Sequence, residues 1–519
     1  MTTPRFKISQ DKEYIYIDIN VPYIRISNCD FYIEETLFSF YCKPYFLKLH
    51  LPKPIVDDDR AKAVYNLEED NGTIHVTAPK KTPGEHFEDL QMLTKLLSKS
   101  STLNIVDNAN KLKNVQGRNL IEVISSSRNE EEEEEDNKHG KIADDNNNNN
   151  NNKKNSNIVK QNNADASATA VTTPSILLLN KDNDGNANNN NPTMEELTKS
   201  INNITLKTTI TYGFNNRFSN FFTGLRDELV EIIELAEPDK IPIKQRSVLR
   251  IEKEEETFDL ERYAGDYAYG KEDPIYKEAM RMKPFWIAKK KKEMKDDKKK
   301  SMKNKDNSND HNNKKEANDD DEQEKQEEFN ETEREILIRL PRREYLINEN
   351  EETYKLLCGL ASILYGFAYD FRLVNGEPNV ESSWTISTLS PLLSWLDECN
   401  NNIEQMLISC MRRSLIYPYL RSYELSKMIV KDVVAIFQLG KHTVLQTLLK
   451  IYKIYEKSET KYMINKLFIE DYCVWVQTIN ADIIKGFAKE IQKVDINKSK
   501  LDLELEYIEE QVNEQLQQS

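Results

Sequence analysis

Through residue 78, apolar side chains alternate with polar ones. Phe6 and Ile8 begin the pattern, and Ile15, Ile17, Ile19 and Val21 continue it through YIYIDINV. Similar runs fall at Phe31–Ile33, Leu37–Cys42, Tyr45–Leu51, Ala63–Leu67 and Thr73–Ala78, with turn residues such as Asp70-Asn71-Gly72 between them. A period of two places the apolar set on one face of a strand. Seven short strands spaced this way predict a two-sheet sandwich over 1–97. Pro44 and Pro52 suit strand ends, where a missing N–H is tolerated.

Beyond residue 205 the period becomes helical. Tyr354, Leu357, Cys358, Ala361, Leu364, Tyr365 and Ala368 line one helix face, and most positions between them are apolar as well. Such a helix is buried on nearly all sides and marks the centre of an all-α domain, read here as 206–480. Its fully apolar run is shorter than the roughly 20 residues a bilayer requires, so no membrane span is expected. Asn375-Gly376-Glu377-Pro378 ends it with a turn, and Val380-Glu381-Ser382-Ser383-Trp384 has the look of a surface or contact stretch.

Other helices are read around it. Leu225, Leu229, Ile232 and Ile233 precede Pro238, and Leu337 and Leu340 follow a capping box at Asn330 and Glu333. One helix runs from Trp395 to Cys410. Leu425 to Ile436 forms another, stopped at Gly440, and Val444 to Tyr455 and Met463 to Val476 form two more. Residues 481–519 read as an acidic tail with an amphipathic helix carrying Leu501, Leu505, Ile508 and Val512, which docks on the domain or on a partner.

Two segments break the pattern. Residues 98–205 hold the acidic run Glu130 to Asp136, the tract Asn146 to Asn152 and an apolar island at 175–180. Residues 289–328 are Lys-rich, then acidic. Neither composition buries enough apolar area to offset chain entropy, so both are expected to be disordered. The fold class is therefore multidomain: an all-β sandwich and an all-α domain, joined and interrupted by low-complexity segments.

The net charge of −16 argues against a general nucleic-acid binder and favours a basic partner protein. The six cysteines form no CxxC pair, so buried thiols in a reducing compartment are expected, with no metal and no cofactor. The N-terminus has no apolar signal core, which points to the cytoplasm, the nucleus or both. The Lys-rich insertion reads as a solvated segment, with nuclear targeting as the functional alternative.

Catalytic chemistry is poorly provided for. His442 is the one histidine of the helical domain's folded parts and lacks a GxSxG partner, and phosphate-binding glycine loops are absent. Asp259, Glu261 and Asp266 have no nucleophile beside them. Arg412, Arg413 and Arg421 are expected in ion pairs on a helix surface, and Trp384, Tyr417, Tyr419 and Trp475 mainly in the core. An enzyme is not expected.

The segments TPRFKISQDKEYIYIDINVPYIRIS, YCKPYFLKLHLP and TPGEHFEDLQMLTKLL resemble the N-terminal CS domain of the SHQ-type assembly factors of H/ACA ribonucleoproteins. TYGFNNRF, FRLVNGEPNVESSWTISTLSPLLSW, SCMRRSLIYPYLRSY, AIFQLGKHTVLQTLLKIYKIY and LFIEDYCVWVQ resemble that family's helical domain. The resemblance implies a chaperone of the pseudouridine synthase dyskerin. Such a factor holds the synthase at its RNA-binding surface without touching nucleic acid, and is released with the AAA ATPases of the R2TP system. A monomer in the nucleoplasm and cytoplasm is expected. The segments put forward Arg372, Glu377, Asn379, Glu381, Trp384, Arg413, Gln438, Lys441 and Asp471 for partner contact. Because CS folds also occur in co-chaperones of the ninety-kilodalton heat-shock chaperone, that role is the alternative.

Overall fold

The computed structural model describes residues 2–22, 29–66, 72–98, 121–123, 210–225, 228–306, 329–347 and 351–518. The acidic run, the Asn tracts, the apolar island and residues 307–328 lie outside them.

Seven strands form where alternation predicts them: β1 (Arg5–Gln10), β2 (Tyr14–Asn20), β3 (Asp30–Glu34), β4 (Leu37–Cys42), β5 (Tyr45–His50), β6 (Lys62–Asn66) and β7 (Thr73–Pro79). An eighth, β8 (Ile121–Val123), comes from the stretch read as linker and pairs in parallel with β6. One sheet has the order β1-β2-β7-β6-β8 and the other β3-β4-β5. The register sets Ile8 against Ile17 and Ile17 against Val76, which keeps the apolar set on one face. That face buries Phe6, Ile15, Ile19 and Ile74 against Phe38, Phe40, Leu47 and Leu49 of the other sheet. This is the two-sheet β-sandwich that the alternation predicts.

The helices in chain order are α1 (Leu93–Leu97), α2 (Leu229–Ile232), α3 (Ile243–Thr257), α4 (Leu260–Tyr269), α5 (Pro274–Arg281), α6 (Phe285–Asp306), α7 (Glu331–Arg339), α8 (Glu351–Leu373) and α9 (Ser382–Leu389). They continue with α10 (Pro391–Trp395), α11 (Ile403–Ile416), α12 (Tyr423–Gln438), α13 (Lys441–Glu456), α14 (Tyr462–Ile464), α15 (Glu470–Thr478), α16 (Ala481–Lys493) and α17 (Leu505–Gln518). A π-turn at Asn465–Ile469 links α14 to α15.

As its sequence predicts, α8 is buried on every face along most of its length. By length and composition it is able to cross a membrane, contrary to the expectation that no segment qualifies; in the fold its faces are taken by other helices. Gly366 lets α9 lie against it, since a Cβ there would meet the Ile386 carbonyl oxygen at 2.5 Å. The turn after α8 uses positive φ at Asn375 (52°) and Gly376 (81°). The capping box at α7 is formed, with both Asn330–Glu333 bonds at 2.9 Å.

Several boundaries differ from the sequence reading. Helix α2 is one turn long, shorter than its apolar spacing suggested. The stretch from Trp395 to Cys410 is not one helix: Leu396 is left-handed, and α11 starts anew on the Asn402 cap. Helix α6 runs on through residue 306 of the charged insertion, as Lys and Glu are good helix formers. The tail helix docks on the domain, one of the two placements expected for it, while the preceding helix α16 is not anticipated by the sequence reading. Ile484, Phe487 and Ile491 of α16 are buried, with α16 against α12; Leu505, Ile508 and Val512 are buried, with α17 against α4.

The largest surprise is α3, whose buried residues are Arg246, Arg250 and Glu254 while Val248 and Ile251 face solvent. Glu254 accepts from Arg250 at 2.6 Å, Arg412 at 3.0 Å and Arg413 at 3.2 Å. Arg250 also binds Asp397 at 2.9 Å, and Arg413 binds Glu234 at 2.5 Å. Arg412 and Arg413 are thus buried members of a charge network, not members of a helix-surface pair; Arg421 is likewise buried, on Asp266 at 2.9 Å. Burial alone would push the Glu254 carboxyl up, but the surrounding guanidiniums hold it below the ordinary value.

The two folded domains meet through α1. The Gln477 side-chain oxygen accepts from the backbone N–H of Thr94 (3.2 Å) and Lys95 (3.4 Å), and Thr94 Oγ1 donates to the Leu337 carbonyl at 2.6 Å. Lys441 pairs with Asp89 of the sandwich at 2.6 Å. Burial drives the Asp89 carboxyl up, yet Lys441 and Lys95 bring it below its usual value.

Replacing Glu254 with Gln leaves three buried guanidiniums with less negative charge to pair with. The expected loss of stability is about 3–5 kcal/mol, read as a fall in the urea midpoint of the full chain; an unchanged midpoint would contradict the network's role.

Candidate partner-binding surface

The nine residues put forward for partner contact separate into two groups. Arg372 is 4% exposed and holds Asp432 of α12 through two bonds (2.5 and 3.1 Å), with further bonds to the Ala279 and Met282 carbonyls. Arg413 is fully buried in the Glu254 network. Asp471 is fully buried and gathers Arg217 (2.6 Å), Arg343 (2.7 Å) and the Tyr345 hydroxyl (2.5 Å). These three serve the domain's interior and present nothing to a partner; the reading of them as contact residues is corrected. Lys441 belongs to the joint with the sandwich, and half-buried Gln438 bonds Lys290 and Gln492.

Glu377, Asn379, Glu381 and Trp384 form the second group, and all four are exposed. They lie on the turn leaving α8 and the first turn of α9. Val380 between them is 90% exposed and Trp384 is 41% exposed. Asn379 fixes the turn, its side chain accepting from the Glu381 N–H at 2.9 Å while the Ser382 hydroxyl accepts from the Asn379 N–H at 3.0 Å. Val380 and Trp384 are thus both exposed on an ordered turn that also carries the Glu377 and Glu381 carboxylates. Exposed Trp384 and Tyr419 also depart from the core reading made for them, whereas Trp475 is buried as expected.

A buried acid underlies this turn. Asp370 on α8 is 1% exposed, is bonded to Ser382 of α9, and has one carboxylate oxygen without a hydrogen-bond partner. Burial raises its pKa to about 7. Nothing in the spacing signals this burial, because Asp370 stands two residues before Arg372 near the end of α8, where charged side chains ordinarily face solvent.

The side chains considered and set aside as catalytic candidates have structural partners. Asp259 caps α4, Asp266 is taken by Arg421, and His442 stacks on Phe329 with ring centroids 4.3 Å apart. A separate cleft of about 230 Å³ is lined by Tyr263, Tyr267, Tyr276, Tyr419 and Tyr423.

Comparisons with known proteins decide the family. Residues 3–97 match the model of the SHQ1-like CS domain, and 318–505 that of the SHQ1 protein, Shq1 domain. The chain is 32% identical to Protein SHQ1 homolog of Xenopus tropicalis over 98% of its length and 69% of that protein's. It is 29% identical to Protein shq1 of Schizosaccharomyces pombe over 99% of its own length and 97% of the relative's. The chain belongs to the SHQ1 family. Membership supports a general role as an assembly chaperone of H/ACA ribonucleoproteins, in contact with their proteins, and the family is not a known enzyme family. The helical match ends at residue 505, inside the segment read as a separate tail.

Asp370 sets a pH dependence. Its folded pKa is raised, so its contribution to stability is complete below the unfolded value of 3.8 and is lost as pH rises through about 7. Ionising it in place costs on the order of 4 kcal/mol. Asp370→Asn is therefore expected to match the native chain within about 1 kcal/mol at acid pH and to exceed it by a few kcal/mol at pH 8, in urea titrations at both values. Identical pH profiles would remove the argument.

Proposed function

We propose that this chain binds the newly made pseudouridine synthase dyskerin at the surface where H/ACA RNA otherwise sits. It keeps the synthase soluble and free of RNA, and it leaves before the mature particle forms, with release driven by the AAA ATPases of the R2TP system. It works as a monomer in the nucleoplasm and cytoplasm, in support of rRNA pseudouridylation.

The observation that carries this reading is the Val380–Trp384 turn with Glu377 and Glu381 beside it. An RNA-binding surface is basic, and carboxylates held on a rigid turn complement it. An exposed Trp on an ordered turn is the kind of side chain that anchors an interface hot spot. Neither is spent on the fold. The net charge of −16 adds long-range attraction to a basic partner. The heat-shock co-chaperone alternative gains nothing specific, because the sandwich matches the SHQ1-like form of the CS domain.

Trp384→Ala is expected to weaken dyskerin binding by roughly 10- to 100-fold. Glu377→Lys with Glu381→Lys should mainly slow association and reduce its dependence on salt. Surface-plasmon measurements on the full chain check both, and rates unchanged in both variants would discard this surface.

A further inference from the structure

Cys29 stands just before β3, and Cys42 is the last residue of β4. The β3–β4 ladder pairs Asp30 with Tyr41 and Phe31 with Phe40. One step further along, the same register sets Cys29 opposite Cys42. Directly opposed residues of an antiparallel pair have Cα atoms about 4.5–5.5 Å apart, within the roughly 4.4–6.8 Å that a disulfide spans. The two sulfurs are 2.8 Å apart, and both residues are thiols. Cys42 is 1% exposed, whereas Cys29 is half-buried and reaches solvent. The remaining cysteines, Cys358, Cys399, Cys410 and Cys473, are buried in the helical domain.

We propose that Cys29 and Cys42 form a reversible cross-strand disulfide, closed by exchange with a low-molecular-weight disulfide of the glutathione class. Cys29 gives its proton to solvent and its sulfur attacks one sulfur of the small disulfide. That S–S bond breaks, and the first small thiolate leaves and takes up a proton. Cys42 then loses its proton, and its sulfur attacks that of Cys29. The bond between Cys29 and the small thiol breaks, and the second small thiolate leaves and is protonated. The two protein thiols lose two electrons, the small disulfide gains them, and the protons balance.

The geometry assigns the order. Cys29 is the accessible sulfur and Cys42 the resolving one. Burial, followed by the contact with Cys42, pushes the Cys29 thiol well above its ordinary range. A thiol that is mostly protonated exchanges slowly at neutral pH and faster as pH rises. The pair is therefore a slow staple rather than a rapid peroxide sensor. It sits in the sheet whose β5 packs against α1, the helix that joins the sandwich to the helical domain.

The test incubates the full-length chain with oxidised glutathione, then maps its peptides without reduction. The expected product joins the Cys29 and Cys42 peptides, carries no glutathione, forms faster as pH is raised and reverts with dithiothreitol. In Cys42→Ser the reaction should stop with glutathione held on Cys29, and in Cys29→Ser the cross-link should be lost. Glutathione persisting on Cys29 of the unmodified sequence would overturn the proposal. So would recovery of both residues as alkylatable thiols after exhaustive oxidation of the folded chain; neither result depends on a variant folding.

Discussion

Glu254 under three guanidiniums is the constraint on which the helical domain turns. Helix α3 buries its charged stripe and leaves Val248 and Ile251 outside, the reverse of an ordinary amphipathic helix. Arg250, Arg412 and Arg413 are balanced by Glu254, Asp397 and Glu234, so the cluster carries no net charge into the interior. A buried network of this kind adds little net stability over an apolar core, but removing one member is costly. Its value lies in specificity. One arrangement of α3, α10 and α11 satisfies it, and the Arg412 bond to the Leu501 carbonyl brings the C-terminal segment into the same arrangement.

From that anchor the rest of the domain takes its positions. The Trp395 indole donates to Glu234 at 2.7 Å, which ties α10 to the chain beyond α2. Arg413 also donates to the Thr388 carbonyl of α9, linking the network to the helix that carries the candidate surface. Gly366 and Ile386 bring α9 close against α8, and Arg372 with Asp432 fixes the C-terminal end of α8. The turn between α8 and α9 is thus held at both ends, so its exposed side chains lose little freedom on binding a partner. The Gln477 and Lys441 contacts add the sandwich to the same compact unit.

Much of this was legible in the sequence. Period-two alternation named β1 to β7, because a sheet with one buried face writes its register into every second residue. The apolar run of α8 named the domain's centre. What failed was charge. Arg372, Arg413 and Asp471 sit in distinctive segments because they organise the interior, and a distinctive segment looks the same whether its residues serve the interior or a partner. The 4-4 spacing of Arg246, Arg250 and Glu254 is a usable signal for a buried charged stripe, but it lies in a run so rich in charge that no apolar periodicity draws attention to it. Helix α16 is hard to separate from the tail in sequence, because Ile484, Phe487 and Ile491 are spread among charged residues. The joint through α1 was beyond reach, since single bonds between residues hundreds of positions apart leave no periodic trace.

The central claim is that this chain and H/ACA RNA compete for one surface of the synthase. An equilibrium titration of labelled guide RNA into RNA-free dyskerin, at rising concentrations of the full chain, tests it directly. The account predicts mutual exclusion: the apparent RNA dissociation constant rises in proportion to the chain's concentration, and no ternary complex forms. A stable complex of dyskerin, RNA and this chain, with the RNA affinity unchanged, would contradict it.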